Sequence, residues 1–258
     1  MAVTTPDQLT VERPAAPGLR RVARYAAMPA FLALVCLLLF LYVSAQELDS
    51  IEARRLDIDL ILRSVVRHLE LVGLSTLVVI VLAVPLGILL TRPFARSITP
   101  PLVTVANTGQ AIPSVGVVVL LALTLGFGFR YAVFALVLYA FLPVLRNTMV
   151  GLQQVDRTII EAGRGMGMSR RRVLARIELP LAVPVMLAGV RTALVINVGT
   201  AAIAAITNAG GLGDVIYGGL VTGRTMVTFT GGILTATLAL LVDWVAGIAE
   251  EHLRPRGL

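Results

Sequence analysis

An all-α, polytopic transmembrane helical bundle of six spans is the fold class this sequence predicts, on two observations. The first is composition: of 258 residues, 57% are hydrophobic and only 14% charged, and the mean hydropathy is +0.88. Soluble domains carry about 25% charged residues. The second is patterning. Apolar runs of about 20 residues, enough to cross a hydrocarbon core of about 30 Å, alternate with short segments that carry arginine.

Residues 1–27 read as a cytoplasmic N-terminal tail. Pro6, Pro14, Pro17 and Gly18 lie in a polar stretch that predicts disorder, and Arg20, Arg21 and Arg24 follow. Residues 28–46 form the first span. Its charged and apolar parts also resemble a signal peptide, with Ser44-Ala45-Gln46 as a weak cleavage site, but the length of the run favours a retained span. Residues 47–68 read as an external linker with an amphipathic stretch that includes Leu56, Ile58, Ile61, Leu62, Val65 and Val66.

Residues 69–249 hold the remaining spans. The second covers about 69–90, with Pro85 and Gly87 inside it, which a membrane helix tolerates when neighbours satisfy the freed backbone groups. The third covers 115–129 and the fourth 131–145. Both are short for the core, so their starts are expected earlier, near Leu102 for the third. A loop at 152–182 precedes the fifth span at 183–206. An external loop from Asn208 to about Arg224 leads to the sixth at 226–249, and residues 250–258 form a cytoplasmic C-terminus. No internal repeat is visible.

All 22 basic residues are Arg, and the net charge is +7. Such a balance can mark a nucleic-acid binder. Here the arginines cluster beside apolar runs, so orientation in a membrane accounts for them better and no nucleic acid is expected. With the N-terminus inside, the cytoplasmic segments hold 15 arginines and the external segments 6, while Arg191 lies within a span. That bias predicts a multi-pass protein of a bacterial cell membrane with both termini cytoplasmic. The single Cys36 lies in an apolar run and indicates no redox compartment. No metal-ligand, nucleotide-binding or nucleophile motif appears, so the chain is expected to be no enzyme and to hold no metal or cofactor itself.

One cytoplasmic stretch stands out. It reads Glu161-Ala162-Gly163, then three residues, Gly167, nine residues, and Ile177-Glu178-Leu179-Pro180. The spacing resembles the EAA loop of ABC importer permeases throughout, with Gly163 where that pattern prefers Ala. Gly163, Gly165 and Gly167 suit close backbone approach. Pro180 is expected to stop a helix and turn the chain. The arginines from Arg170 to Arg176 hold the segment inside. Glu161 suits either of two roles: an ion pair with a partner's arginine, or a cap on its own helix.

Further stretches narrow the likeness. Asn197-Val198-Gly199-Thr200-Ala201, Asn208-Ala209-Gly210-Gly211-Leu212-Gly213, His68-Leu69-Glu70-Leu71-Val72, Pro85-Leu86-Gly87-Ile88-Leu89 and the turn from Gln110 to Ser114 resemble the osmoprotectant branch (glycine betaine, carnitine, choline) of those permeases. The likeness covers about residues 62–245.

The resemblance implies a type I ABC importer permease fold and alternating access without covalent chemistry. It implies these partners: ATPase subunits that bind ATP and Mg, a second permease subunit (identical or not), an extracytoplasmic solute-binding protein, a small solute and the bilayer. It carries the coupling role onto Glu161, Ala162, Gly163, Gly165, Gly167, Ile177, Leu179 and Pro180. A permease for another small solute, such as methionine or an anion, is the alternative. A non-transporting scaffold or channel leaves the 161–180 spacing unexplained.

Three further expectations concern polar groups in or beside spans. Asn197 and Thr200 are candidates for lining the pathway, with interhelical hydrogen bonding as the competing role. Gln110 and Ser114 are candidates at the turn. Arg191 is seven residues beyond Pro184 and Asp243 seven before Glu250, so both lie about 10 Å from the cytoplasmic end and are expected to pair.

Overall fold

The computed structural model describes residues 17–253, and of residues 17–24 the backbone alone. The tail before residue 17, including Arg13, and the last residues, including Arg254 and Arg256, lie outside the described residues.

Every regular element among the described residues is a helix. In chain order they are α1 (Pro17–Ser44), α2 (Ser50–Arg55), α3 (Ile58–Leu90), α4 (Thr99–Gln110), α5 (Ser114–Leu125), α6 (Phe129–Gln153), α7 (Arg157–Gly165), α8 (Arg170–Val173), α9 (Leu179–Ile203), α10 (Leu212–Thr222) and α11 (Thr225–Leu253). Among the described residues five helices are long and apolar enough to cross a membrane: Tyr25–Ser44, Ile58–Leu90, Phe129–Gln153, Arg170–Thr207 and Thr225–Leu253.

The expected third span is broken. Helices α4 and α5 meet at 93° across Ala111-Ile112-Pro113. Pro113 has no N–H to give and disfavours the helical conformation at Ile112, and here the chain breaks at it, with Pro113 itself extended at φ −56°, ψ 132°. Counted as one span, the bent pair makes six.

Helix α6 forms the centre, packed along α3 on one side and α9 on the other. The bilayer supplies little hydrophobic drive between helices, so close packing of small residues must hold them. A Cβ on Gly87 of α3 would lie 2.8 Å from the Thr148 side chain of α6. One on Gly189 of α9 would lie 2.5 Å from Asn147 Cβ of α6. Ala132, Ala135 and Ala140 line the same helix and are buried. Helix α1 packs along α11 at the edge, and its Leu37, Leu38, Phe40 and Leu41 are exposed to the bilayer side.

Two segments expected between spans are helical. Residues 58–68, in the amphipathic stretch expected in the linker, are not separate from the second span but are the first turns of α3, begun by the Asp57 cap, whose Oδ1 accepts from Leu60 N at 3.1 Å. The expected loop 208–224 contains α10, packed on α11 and α3. Short and rich in glycine, its sequence hides a helix whose stability comes from burial of Leu212, Val215 and Gly219.

Candidate functional site

The 157–180 segment is two short helices joined by a tight turn. Asp156 caps α7, its Oδ1 accepting from Thr158 N at 2.8 Å, and that bond holds the carboxyl below the usual range. Glu161 is therefore not the cap. It lies in the body of α7, exposed, with its carboxylate unpaired among the described residues.

Gly167 closes α7. The Gly167 N–H reaches Arg164 O at 2.9 Å and the Met168 N–H reaches Gly163 O at 3.1 Å. These two bonds define a Schellman ending, whose C′ residue must be left-handed; Gly167 sits at φ +82°. Within the chain nothing lies within 4 Å of a Cβ built there or on Gly165. No close approach within the chain involves Gly165 or Gly167, and at Gly167 glycine is required for conformation. The close approach belongs to Gly163, where a Cβ would lie 2.6 Å from Ile177 Cδ1. Buried Val173 completes that contact, so α7 rests on the Ile177 turn. Ala162 and Met166 remain exposed, and Leu179 is half-buried.

Pro180 does not stop the chain. Residues Leu174–Glu178 form a π turn in which Leu179 N–H bonds Leu174 O, and the helix runs on as α9. The wider turn makes room for a residue that can neither donate nor pack against the carbonyl four back. Glu178, between the recognised Ile177 and Leu179, carries a contact the sequence concealed: its Oε2 accepts from Arg92 Nη2 at 2.8 Å, joining the end of α3 to the turn.

At the other end of α3 and α9, His68 is fully buried. Its Nε2 lies 3.0 Å from Val198 O, and its Nδ1 accepts from Leu212 N at 3.3 Å. The two bonds require the neutral ring with its proton on Nε2. His68 therefore caps α10 from outside its own sequence, and Gly211 at φ +96° lets the backbone pass the ring.

Asn197 and Thr200 do not face open space. Asn197 is fully buried, and its Nδ2 donates to Ser75 Oγ and Thr76 Oγ1, both at 3.0 Å. It ties α9 to α3, and the interhelical role describes it. Thr200 is 6% exposed. Gln110 and Ser114 flank the break instead. Gln110 Nε2 donates to Tyr139 O at 3.2 Å, and Tyr139 Oη donates to Ile112 O at 3.2 Å. Tyr139 thus ties the end of α4 and the turn at Ile112 to α6.

Arg191 and Asp243 meet side-on: Nε to Oδ1 at 2.5 Å and Nη2 to Oδ2 at 2.7 Å. Glu250 adds a third charge, 3.7 Å from Arg191 Nη1.

These features define a polytopic helical permease subunit: a bundle with one broken span and a pair of short helices, α7 and α8, packed on the turn that opens α9. Residues 83–255 match the family of binding-protein-dependent transport system inner membrane components, and the chain belongs to that family. The "Carnitine transport permease protein OpuCD" of Listeria monocytogenes is 38% identical over 73% of this chain and 84% of its own length. The "Glycine betaine/carnitine/choline transport system permease protein OpuCD" of Bacillus subtilis is 38% identical over 76% and 85%. The "Osmoprotectant import permease protein OsmY" of Salmonella typhimurium is 36% identical over 87% and 94%. In fold, a chain of the MetNI methionine ABC transporter in inward-facing conformations superposes with a TM-score of 0.68 at 24% identity, covering 76% of this chain and 97% of that one.

Proposed function

We propose that this chain is the permease subunit of an ATP-driven importer for osmoprotectants such as glycine betaine, carnitine or choline. The observation that carries the solute class is the set of relatives at 36–38% identity, whose names give those solutes and of whose length the chain covers 84–94%.

In this reading α7 is the coupling helix. Glu161, Ala162 and Met166 present its free face to an ATPase subunit that holds ATP and Mg. Gly163 and Ile177 fix it to the π turn, so displacement of α7 is handed to α9 at Leu179 and Pro180, and to α3 through Arg92. Alternating access is the resulting two-state change of the bundle. A second permease subunit completes the pathway, with Gln110 and Ser114 at the break as the residues nearest to it, and a solute-binding protein delivers solute from outside. Both termini are cytoplasmic, in keeping with the arginine bias.

Uptake of labelled glycine betaine, carnitine, choline and methionine, at high osmolarity, with and without the chain, tests the solute. Chain-dependent uptake of a quaternary ammonium solute but not methionine is expected. Chain-dependent methionine uptake alone would replace the solute class while leaving the importer.

A further inference from the structure

We propose that the cytoplasmic cavity between α3, α6 and α7 is a binding site for a phosphate-bearing anion. The cavity has a volume of about 760 Å³. Arg92, Arg96, Arg157 and Arg164 line it, with Glu178 as its single carboxylate. Glu178 is engaged by Arg92, whose Nε and Nη2 also bond Thr91 Oγ1 and whose Nε bonds Ile88 O. Arg96, Arg157 and Arg164 make no ion pair among the described residues.

Three uncompensated guanidinium groups around one concavity repel one another and create a strongly positive local potential. Each presents a planar fork that matches phosphate oxygens. No aromatic side chain lines the cavity, so a base or an apolar ring would find no stacking partner, and the phosphate is the part recognised.

Depth narrows the source of that phosphate to two. Leu90 and Leu152 belong to the last turns of α3 and α6, which puts the cavity where two membrane-crossing helices leave the apolar layer. Basic pockets at that level take anionic lipid headgroups. Phe94 and Ile98, on the linker beside Arg96, are 71% and 59% exposed, as suits a segment dipped among headgroups. A soluble phosphate ester from the same side offers the same oxygens. Either one would bridge the α3–α4 linker, through Arg96, to the coupling helix, through Arg157 and Arg164. The site is independent of the transported solute.

Native mass spectrometry of the full chain in detergent, titrated separately with phosphatidylglycerol, phosphatidylcholine and pyrophosphate, tests the site. Arg96→Gln/Arg157→Gln/Arg164→Gln is expected to weaken the phosphatidylglycerol or the pyrophosphate complex about 100-fold. Loss in the lipid arm alone identifies a headgroup, and loss in the pyrophosphate arm alone a soluble ester. The same loss is not expected from Arg54→Gln/Arg63→Gln/Arg130→Gln, which removes equal charge elsewhere. Arg164→Gln alone, on an exposed helix position, should weaken binding about fivefold and serves if the triple variant misfolds. Equal binding by wild type and variants in both arms, or equal loss in the control triple variant, would overturn the proposal.

Discussion

Arg92 and Glu178 form an ion pair at 2.8 Å across two segments 86 residues apart, with the Glu178 side chain 8% exposed and that of Arg92 25%. The pair is the polar tie between α3 and the turn that carries α7. Removing the cation strands a buried carboxylate, whereas neutralising the carboxylate leaves an arginine that water can still reach. Arg92→Gln should therefore cost about 3 kcal/mol and Glu178→Gln about 1 kcal/mol, with the double variant milder than Arg92→Gln. Thermal melting in detergent reads the order; equal costs would contradict it.

Gly167 tests a conformational requirement. At φ +82°, Gly167→Ala should cost about 1 kcal/mol and Gly167→Asn less, since Asn tolerates the left-handed region. Gly163→Ala meets only the mobile end of Ile177 and should be the mildest. Melting temperatures in the order Gly163→Ala, Gly167→Asn, Gly167→Ala, from highest to lowest, check this.

Asn197 separates glue from pathway. Asn197→Ala removes two hydrogen bonds between α3 and α9 and should cost about 1 kcal/mol, within the range measured for bonds between membrane helices. Its apparent KM for labelled glycine betaine should match wild type. Gln110→Ala, at the break, should instead alter KM or rate. A KM change with Asn197→Ala and none with Gln110→Ala would reverse the assignment.

The Arg191 cluster is asymmetric. Asp243→Asn leaves Arg191 with Glu250, 3.7 Å away, while Arg191→Gln leaves two carboxylates facing each other. Arg191→Gln should lower the melting temperature more than Asp243→Asn. The opposite order would show that Glu250 supplies nothing.

Asp49 predicts a pH dependence at the start of α2. Its carboxylate is held below the ordinary value of 3.8 chiefly by the Glu52 N–H, helped by the Ile51 N–H and Arg224 and opposed by desolvation. A depressed carboxyl contributes stability that is present above its unfolded value and lost as pH falls through the folded one. Protection of the α2 amides, taken as the exchange rate relative to the intrinsic rate at each pH, should hold down to about pH 4 and then fall; Asp49→Asn should show weaker protection throughout.

The sequence carried the parts that repeat a simple rule. Apolar length marked the spans, and equal distance from a boundary put Arg191 and Asp243 at one depth. The spacing from Glu161 to Pro180 marked a unit, although not its form. Helix continuity through Pro180 depends on a widened turn that no residue type announces. Helix α10 looked like a loop because glycines needed for packing, such as Gly213 against Ala202 O, also signal turns. Which way Asn197 faces depended on Ser75 and Thr76, 122 and 121 residues earlier. Arg92 and Glu178 were visible only as a charge beside a span and an unassigned position in a motif.

Glu161→Lys gives the most direct test of coupling through α7. The side chain is exposed and its carboxylate unpaired within the described residues, so the exchange should leave folding intact. Glycine betaine uptake and ATP hydrolysis would be measured together, with the ATPase subunit present, in wild type and variant at matched expression. Normal melting with uptake lost is expected, through failed ATPase docking or hydrolysis no longer linked to transport. Uptake at the wild-type rate, with hydrolysis equally tied to it, would contradict α7 as the coupling element.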